Sequence, residues 1–308
     1  MKKVNIILPA FNGEKYIGEQ IESLLNQTYP NIDIYIRDDR SRDNTVNVIR
    51  SYIGQEPEGK KIILVDNEDK NWGYVRNVFD TWKLTDTADY YCFCDQDDVW
   101  HADKVEKSVA LLESKGTEKP ALCFTGFNYC DSGLHFIRKS DPVPEPLGLQ
   151  NVCYDFLALN FNITVNHAFR EVFFAKLPPD GSYPNYPDYW MSQAAACYGR
   201  LYCLQKAEVE YRRQEKAASY ANHNPFSFFL WRFKMFFLGD ETKKISKALK
   251  DLYQVYGNIM SESDEKMMRI FIQNSFVHYL QKVFYPARLR RDPKEEIALR
   301  VMFLLGML

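Results

Sequence analysis

The sequence lacks several patterns that identify common protein classes. Its seven cysteines include no Cys-x-x-Cys pair, which argues against a zinc site or a disulfide framework and favours reduced, buried thiols. It contains no uncharged apolar run of about 18 residues, so no membrane-spanning helix is expected. A net charge of −2 argues against binding of nucleic acid. Neither Gly-x-Gly-x-x-Gly nor Gly-x-x-x-x-Gly-Lys-Ser/Thr occurs, so dinucleotide and P-loop sites are not predicted.

The first hundred residues alternate between apolar runs and amphipathic stretches. The apolar runs are short and end at Asn or Asp, as expected of buried strands in a parallel sheet. The stretches between them place apolar residues such as Ile17, Ile21 and Leu24 on one helical face. Strands are predicted at 4–11, 32–39, 61–67 and 89–98, and helices at 13–27, 43–53 and 74–84. This alternation predicts an α/β fold with a parallel sheet and helices on both faces.

Polar clusters follow all four predicted strands. They are Pro9-Ala10-Phe11-Asn12, Asp38-Asp39, Asp66-Asn67 and Asp95-Gln96-Asp97-Asp98. Any one cluster is also typical of an ordinary turn, because Asp and Asn favour turns. In a parallel sheet, however, ligands bind beyond the carboxyl ends of the strands. Four clusters at one edge therefore favour a binding site.

Three carboxylates occupy four positions at the end of the fourth strand, at Asp95, Asp97 and Asp98. Unpaired carboxylates are costly to bury. The three acids are therefore expected to hold a partner at this position.

Three motifs carry a resemblance to a known family. "ILPAFNGEKYIGEQIESLLNQTYPNIDIYIRDDRSRDNT", "NWGYVRNVF" and "CDQDDVWHADKV" together resemble the family 2 glycosyltransferases, and "DQDDVW" is similar to the rhamnosyltransferase-like bacterial branch that makes capsule and O-antigen polysaccharides. The resemblance implies the GT-A fold, with a mostly parallel central sheet flanked by helices. It places a catalytic domain at 1–220, with a nucleotide-binding half at 1–108 and an acceptor half at 109–220. A helical extension is expected at 221–308.

The resemblance also implies a donor, a UDP- or dTDP-sugar bound through Mn²⁺ or Mg²⁺. Asp97 corresponds to the metal ligand, whereas Asp98 either assists it or caps the turn before Trp100, and Asp95 lies near the ribose or sugar. Asp38 corresponds to the acceptor of a hydrogen bond from the base imide. The further expected contacts to the nucleotide sugar are Pro9, Ala10, Phe11, Asn12, Asp39, Asp66, Asn67, Gln96 and Arg76. For Arg76, a position on a solvated helix face is an equal alternative.

A catalytic base is expected further along the chain. Inverting transfer requires a carboxylate that takes the proton from the acceptor hydroxyl, and Asp188 in "NYPDYWMSQAAACYG" stands close to an acidic motif of the family. Its other interpretation is an N-cap of the following helix. Asp180 and Asp155 are the next candidates. The neighbouring rings of Tyr189 and Trp190, together with Trp100, are predicted on the acceptor side, where aromatic rings stack on sugars.

One position departs from the family pattern. In "EYRRQEKAAS", Gln214 stands where a His that helps to bind the metal or diphosphate is expected. Gln214 is a poorer metal ligand than His, so the strength of the metal dependence stays open. Arg212 or Arg213 is expected to hold the diphosphate instead.

The composition changes after residue 220. Residues 224–239 are rich in aromatic side chains, and 245–259 form an amphipathic stripe beside several lysines. One interpretation is a helical extension that packs on the catalytic domain or on a second copy of the chain. The other is contact with the inner face of the plasma membrane, where the acceptor is expected to be a lipid-linked glycan. The expected location is cytoplasmic, peripheral to that membrane in the second case. A catalytically inactive nucleotide-sugar-binding or assembly subunit of the same fold is the alternative function.

Overall fold

The structure is a computed structural model that describes residues 1–67, 70–116, 118–177, 186–213 and 241–308. Three predictions therefore concern residues outside the described ones. They are the role of Gln214, the role of Asp180 and the aromatic segment 224–239.

The described residues form a nine-stranded sheet with helices on both sides. The strands are β1 (Val4–Ala10), β2 (Ile32–Asp38), β3 (Lys60–Leu64), β4 (Tyr90–Phe93), β5 (Val99–Trp100), β6 (Ala121–Cys130), β7 (Phe136–Lys139), β8 (Ile163–Asn166) and β9 (Arg200–Arg212). The helices are α1 (Ile17–Leu25), α2 (Thr45–Tyr52), α3 (Tyr74–Leu84), α4 (Lys104–Ser114), α5 (Leu149–Val152), α6 (His167–Ala175), α7 (Pro187–Tyr198), α8 (Glu241–Tyr256), α9 (Glu262–Ile272), α10 (Phe276–Val283) and α11 (Pro293–Leu304). The predicted α/β class is confirmed.

The strand order explains where a ligand can bind. It is β3-β2-β1-β4-β8-β6-β9-β5, with β7 beside β6. The first four strands are parallel to one another, as predicted. By contrast, β8 is antiparallel to both β4 and β6, so the second half of the sheet is mixed. The carboxyl ends of β1, β2 and β4 meet at one edge, next to the point where the sheet changes direction.

The apolar periodicity of the N-terminal half matches its burial. All seven residues of β1 are buried. On α1, the side chains of Ile17, Ile21 and Leu24 are fully buried, as the helical spacing predicts. Burying an aliphatic side chain stabilises the fold by about 1.5–3 kcal/mol relative to leaving it exposed. The sheet edge is therefore held on a rigid core.

The C-terminal helices pack into a hydrophobic core cluster that they share with residues of the sheet and α3, among them Phe93 and Trp82. The predicted stripe on α8 is buried, with Leu249, Leu252 and Tyr256 at most 1% exposed. The Tyr256 ring lies 5.9 Å from Trp190 and 5.2 Å from Tyr198, both on α7. This stripe therefore packs on protein. Among the described residues, no helix is both long and apolar enough to cross a membrane.

Candidate functional site

A cavity of about 410 Å³ opens at the carboxyl ends of β1, β2 and β4. Three of the four predicted polar clusters contribute to its wall, and the start of α3 closes one side. Its lining residues are Pro9, Ala10, Phe11, Asp39, Asn71, Gly73, Tyr74, Asn77, Asp95, Gln96 and Asp97. Its volume lies within the range of small-molecule sites, about 300–1,000 Å³.

The Gln96 amide joins the ends of β1 and β4. Its Oε1 accepts from the Phe11 backbone N–H at 2.8 Å, and its Nε2 donates to the Phe11 carbonyl at 2.9 Å. Gly13 allows this approach, because a Cβ at that position would lie 2.3 Å from Gln96 Oε1. The Phe11 ring is 44% exposed at the cavity wall. An aromatic face is therefore presented on a fixed backbone.

Asn12 lies behind the cavity and supports the loop after β2. It adopts a left-handed conformation with φ of 48°, which Asn tolerates better than most residues. Its backbone N–H donates to Ser41 Oγ at 2.8 Å, and its Oδ1 accepts from the Arg42 backbone N–H at 2.8 Å. Asn12 therefore fixes the loop and does not line the cavity.

The two acids at the end of β2 have different surroundings. Asp38 accepts hydrogen bonds from the hydroxyl and the backbone N–H of Ser41, the latter at 2.9 Å, and does not line the cavity. Asp39 does line it and is 3% exposed. Its two carboxylate oxygens accept from the backbone N–H groups of Trp72 and Gly73, each at 2.7 Å. Of these two predicted contacts, the structure thus places Asp39 in the wall of the cavity and Asp38 outside its lining.

The remaining residues predicted to contact the base or nucleotide lie outside the cavity lining. Asp66 is exposed. Asn67 donates to the Asp38 carbonyl at 2.7 Å and accepts from Arg37 at 3.1 Å. Arg76 stacks on Trp72 at 3.5 Å and donates to Asp80 at 2.9 Å. For Arg76, the structure therefore favours the interpretation as part of a helix surface.

Asp95 lies at the centre of the acidic side of the cavity. Its Oδ1 accepts from the Tyr74 hydroxyl at 2.8 Å and from Asn160 Nδ2 at 3.2 Å. Burial, and then the charge of Asp97, raises its pKa to about 7. Tyr74 and Asn160 were not predicted from the sequence. Tyr74 at least belongs to the "NWGY" motif, whereas no local signal marks Asn160.

Asp98 and Arg212 form a buried support behind this loop. Asp98 is fully buried, and its Oδ1 accepts from the Arg212 backbone N–H at 3.0 Å. Its Oδ2 has no hydrogen-bond partner among the described residues. Burial and the charges of Asp97 and Asp95 raise the pKa of Asp98 well above its ordinary value. The predicted role of Asp98 as an assisting ligand requires this side chain to become accessible.

Arg212, which is predicted to hold the diphosphate, does not line the cavity. It is 4% exposed, and its guanidinium donates to the carbonyls of Asp97 at 2.8 Å and Ser132 at 2.7 Å, and to Glu19. These contacts engage the guanidinium within the protein. Arg212 therefore holds the acidic loop in place, and its contact with a diphosphate stays a prediction.

Asp188 lies in the first turn of α7, next to the acidic side of the cavity. Burial raises its pKa to about 6, although backbone N–H groups of Tyr189 and Asn160 donate to it and partly oppose this effect. The charge of Asp188 in turn raises the pKa values of Asp95 and Tyr74. Asn160 contacts Asp95 through its side chain and Asp188 through its backbone. The predicted base and the acidic loop, 90 residues apart in sequence, are thus neighbours.

The three predicted acceptor-side rings are buried. Trp100, Tyr189 and Trp190 are 3%, 3% and 2% exposed. Trp100 faces Lys104 Nζ at 3.4 Å, and the Tyr189 ring stacks on Phe156 at 4.5 Å. Packing of α7 and β5 against the core covers these side chains, so their place on the acceptor side stays a prediction that requires them to become accessible.

Two carboxylates of the cavity wall fit a divalent cation. In the described part of the chain, no group of three or more His, Cys, Asp or Glu side chains is arranged to hold a metal. Asp95 and Asp97 nevertheless both line the cavity. Mg²⁺ is commonly held by one or two carboxylates together with substrate phosphates and water. A cation there would also relieve the repulsion that raises the pKa of Asp95.

Comparison with known proteins gives both sequence and structural relatives. The sequence model of the family described as "Glycosyl transferase family 2" matches residues 5–177. The dTDP-rhamnosyl transferase RfbG of Shigella flexneri is 35% identical over 107 residues, which are 34% of this chain and 36% of that protein. The amylovoran biosynthesis glycosyltransferase AmsB of Erwinia amylovora is 36% identical over 114 residues, 35% of each chain. The putative teichuronic acid biosynthesis glycosyltransferase TuaG of Bacillus subtilis is 31% identical over 147 residues, 47% of this chain and 54% of that protein. The matches thus span from about a third to about half of these relatives.

Two solved structures resemble the whole described fold. S. aureus TarS in complex with UDP-GlcNAc is similar with a TM-score of 0.59 and 16% identity, over 99% of this chain and 82% of that one. The mannosyltransferase PcManGT from Pyrobaculum calidifontis, in complex with GDP-Man and Mn²⁺, has a TM-score of 0.55 and 13% identity, over 99% and 86%. At this identity the likeness concerns the fold alone. It confirms the predicted GT-A fold.

Proposed function

The chain belongs to glycosyl transferase family 2, and on that premise we propose that it is an inverting glycosyltransferase of bacterial polysaccharide synthesis. It moves a sugar from a UDP- or dTDP-sugar to a hydroxyl of a glycan acceptor. The observation that carries this proposal is the position of Asp188 beside Asp95, which lines the cavity together with Asp97. The names of the bacterial relatives support polysaccharide synthesis, and RfbG supports a dTDP-sugar.

The cavity suits a nucleotide. Pro9 and the exposed Phe11 ring offer an apolar surface for a base. Asp39 supplies carboxylate oxygens at the same wall. A carboxylate oxygen can accept more than one hydrogen bond, so Asp39 can accept from a base imide N–H while it holds Trp72 and Gly73. Uracil and thymine both carry such an N–H, which supports UDP or dTDP as the carrier.

Asp97 and Asp95 hold the diphosphate end of the donor. A divalent cation, when bound, supplies positive charge that offsets the charge on the departing nucleoside diphosphate. Asp97 projects into the cavity, while Tyr74 and Asn160 fix the orientation of Asp95. Asp98 and Arg212 keep the loop in place from the buried side.

Asp188 acts as the general base. With a pKa of about 6 it is mostly ionised at neutral pH, yet it is a stronger base than an ordinary Asp. The acceptor hydroxyl gives its proton to an Asp188 oxygen while its own oxygen bonds to the anomeric carbon. The bond from that carbon to the nucleoside diphosphate breaks in the same displacement, so the configuration inverts.

The surface of the C-terminal helices supports a peripheral location. Phe276, Phe284 and Ile297 on and beside α10 and α11 are 73%, 77% and 66% exposed. Exposed apolar side chains of this size are typical of an interface. We propose contact with the cytoplasmic face of the membrane or with a second copy of the chain. Sedimentation with anionic vesicles at low salt supports the membrane, and a concentration-dependent dimer without sedimentation supports the second copy.

A donor screen tests the function. UDP-glucose, UDP-galactose, UDP-N-acetyl sugars and dTDP-rhamnose are each added with Mn²⁺, and thermal stabilisation and sugar release are measured. The correct donor raises the free energy of unfolding by about 2.7 kcal/mol at a hundredfold excess over its dissociation constant. Stabilisation without any sugar release or transfer would support an inactive subunit. A product with retained anomeric configuration would contradict the role of Asp188.

A further inference from the structure

A second cavity, of about 430 Å³, lies between two parts of the chain. One part is residues 142–157, which include α5, and the other is residues 287–291, which lead into α11. Its wall contains three arginines within four positions. The lining residues are Pro142, Val143, Pro144, Gln150, Asn151, Asp155, Leu157, Ala287, Arg288, Leu289, Arg290 and Arg291. We call it the arginine cavity.

Two of these arginines keep hydrogen-bond donors for a ligand. Arg288 is exposed and uses Nε and Nη2 on the carbonyls of Arg290, at 2.8 Å, and Arg291. Arg291 uses Nε on Asp155 at 3.1 Å and Nη2 on the Phe156 carbonyl at 3.1 Å. Within the described residues, Nη1 of neither arginine donates to a protein acceptor. The guanidinium groups are therefore held in place with one edge still available.

The charge of the wall favours an anion. Arg290 is balanced by Glu295, at 3.0 Å, and Arg291 by Asp155, whereas Arg288 faces only carbonyl groups. Three arginines and one Asp line the cavity. The planar guanidinium matches phosphate oxygens in bidentate geometry, which a lysine does not do. Phosphate is thus the anion class that this wall fits best.

The arginine cavity is close to Asp188, the proposed general base. Leu157 lines it, and Asn160, three residues later, contacts both Asp95 and Asp188. Three residues of extended chain span at most about 11 Å. Leu157 and Asn160 are therefore at most about 11 Å apart, and this short separation supports a single acceptor molecule that spans the arginine cavity and the base.

A second chain of contacts joins the same two places. Arg291 binds the Phe156 carbonyl, and the Phe156 ring stacks on Tyr189, the residue after Asp188. The cavity is therefore fixed relative to the start of α7.

We propose that the arginine cavity binds a phosphate or diphosphate group of the acceptor and so orients its hydroxyl toward Asp188. This inference rests on the proposed function, because it concerns the acceptor of that reaction. The same chemistry is offered by a lipid-linked sugar diphosphate and by a soluble sugar phosphate.

Inorganic pyrophosphate is the probe, titrated calorimetrically into the full chain in the presence of EDTA. Without a divalent cation the carboxylates of the donor cavity repel a diphosphate, so binding under these conditions reports on the arginine cavity. Arg288→Gln removes one charge-assisted contact and is expected to weaken binding about tenfold or more. Arg288→Lys keeps the charge but loses the fork, and an intermediate affinity is expected.

Lys294→Gln is the matched control, because it removes the same charge from an exposed position that does not line the cavity. It should bind like the parent. Equal affinities of parent, Arg288→Gln and Lys294→Gln, or no binding by the parent, would overturn the proposal. Thermal unfolding of each variant separates lost binding from lost folding.

Vesicles distinguish the two sources of the phosphate. Phosphatidylcholine vesicles that carry a long-chain isoprenoid diphosphate are compared with vesicles that lack it. Arg288-dependent sedimentation with the former supports the lipid-linked source, and binding of soluble pyrophosphate alone supports a sugar phosphate. UDP binding with Mn²⁺ is measured in parallel. Loss of UDP binding contradicts the proposed function, whereas loss of pyrophosphate binding alone contradicts only the role of the arginine cavity.

Discussion

Replacing Asp188 by Asn should make the protein more stable and less active at the same time. Burial raises the pKa of Asp188 from 3.8 to about 6. The ionised carboxyl is therefore less favourable in the folded state than in the unfolded chain. The stability falls as the pH rises from about 4 to about 6, and the full cost is present above pH 6.

The size of the effect follows from this difference. At about 1.4 kcal/mol for each pH unit, ionisation of Asp188 destabilises the fold by about 3 kcal/mol at pH 8 and about half of that at pH 5. Asn removes this cost and can still accept the Tyr189 N–H. It also removes a negative charge from the first turn of a helix, which opposes the gain by about 0.3–1 kcal/mol. Because Asp188 is half-buried, solvent screening lowers the gain further, and a net gain of about 1–2 kcal/mol is expected at pH 8.

The catalytic effect has the opposite sign. General base catalysis contributes about 10²–10⁴-fold, so Asp188→Asn should lower turnover by that factor. Donor affinity should barely change, since the loss concerns an interaction made in the transition state. In the parent, turnover should fall about tenfold for each pH unit below 6, as the base becomes protonated.

Urea unfolding at pH 8 and pH 5, together with turnover of the donor identified by the screen, measures both effects. Asp264→Asn is the control, because Asp264 also lies in the first turn of a helix, α9, far along the chain from the cavity. Near-parental turnover of Asp188→Asn would move the base to another acid. If Asp188→Asn loses activity but gains no stability at pH 8, the argument that burial makes the ionised Asp188 carboxylate unfavourable is wrong.

Three further predictions follow from the cavity and the core. Asp97→Asn should abolish donor binding that depends on Mn²⁺ or Mg²⁺ while the thermal unfolding temperature is kept; equally tight calorimetric binding would contradict its role as a ligand. Gly13→Ala should displace the Gln96 amide and raise the KM for the donor several-fold. Gly54→Ala, at a glycine with open space around it but a φ of 85°, should lower stability and leave KM unchanged. Deletion of 241–308 should yield aggregated protein, because it uncovers the faces of Trp190 and Tyr198. Size-exclusion chromatography and circular dichroism check this prediction. A monomeric product that unfolds cooperatively would show that these helices are dispensable for folding.

The N-terminal fold was predictable because its signals are local. Short apolar runs and helical spacing located β1 to β4 and α1 to α3. The motifs then located the binding edge. The distinction between Asp38 and Asp39 was not accessible, because adjacent residues at a strand end face opposite sides and a shift of one position exchanges them.

The acceptor half was less predictable because its contacts are long-range. Arg212 meets Asp98 across 114 positions, and no local pattern announces this pairing. An aromatic ring beside a predicted catalytic acid is consistent with both sugar stacking and core packing. For Trp190 the packing of α8, more than 50 residues later, decides in favour of the core.

Among the described residues, the lining of the cavity proposed for the donor comes from residues 9–97. The proposed base and the lining of the arginine cavity come from residues 142–291. Under the proposed function, substitutions in the arginine cavity can therefore alter the acceptor, provided that Asn160 and Arg212, which support the acidic loop, are kept. A chain divided in this way could then acquire a new linkage through changes in its second half, while its use of a nucleotide sugar is inherited intact.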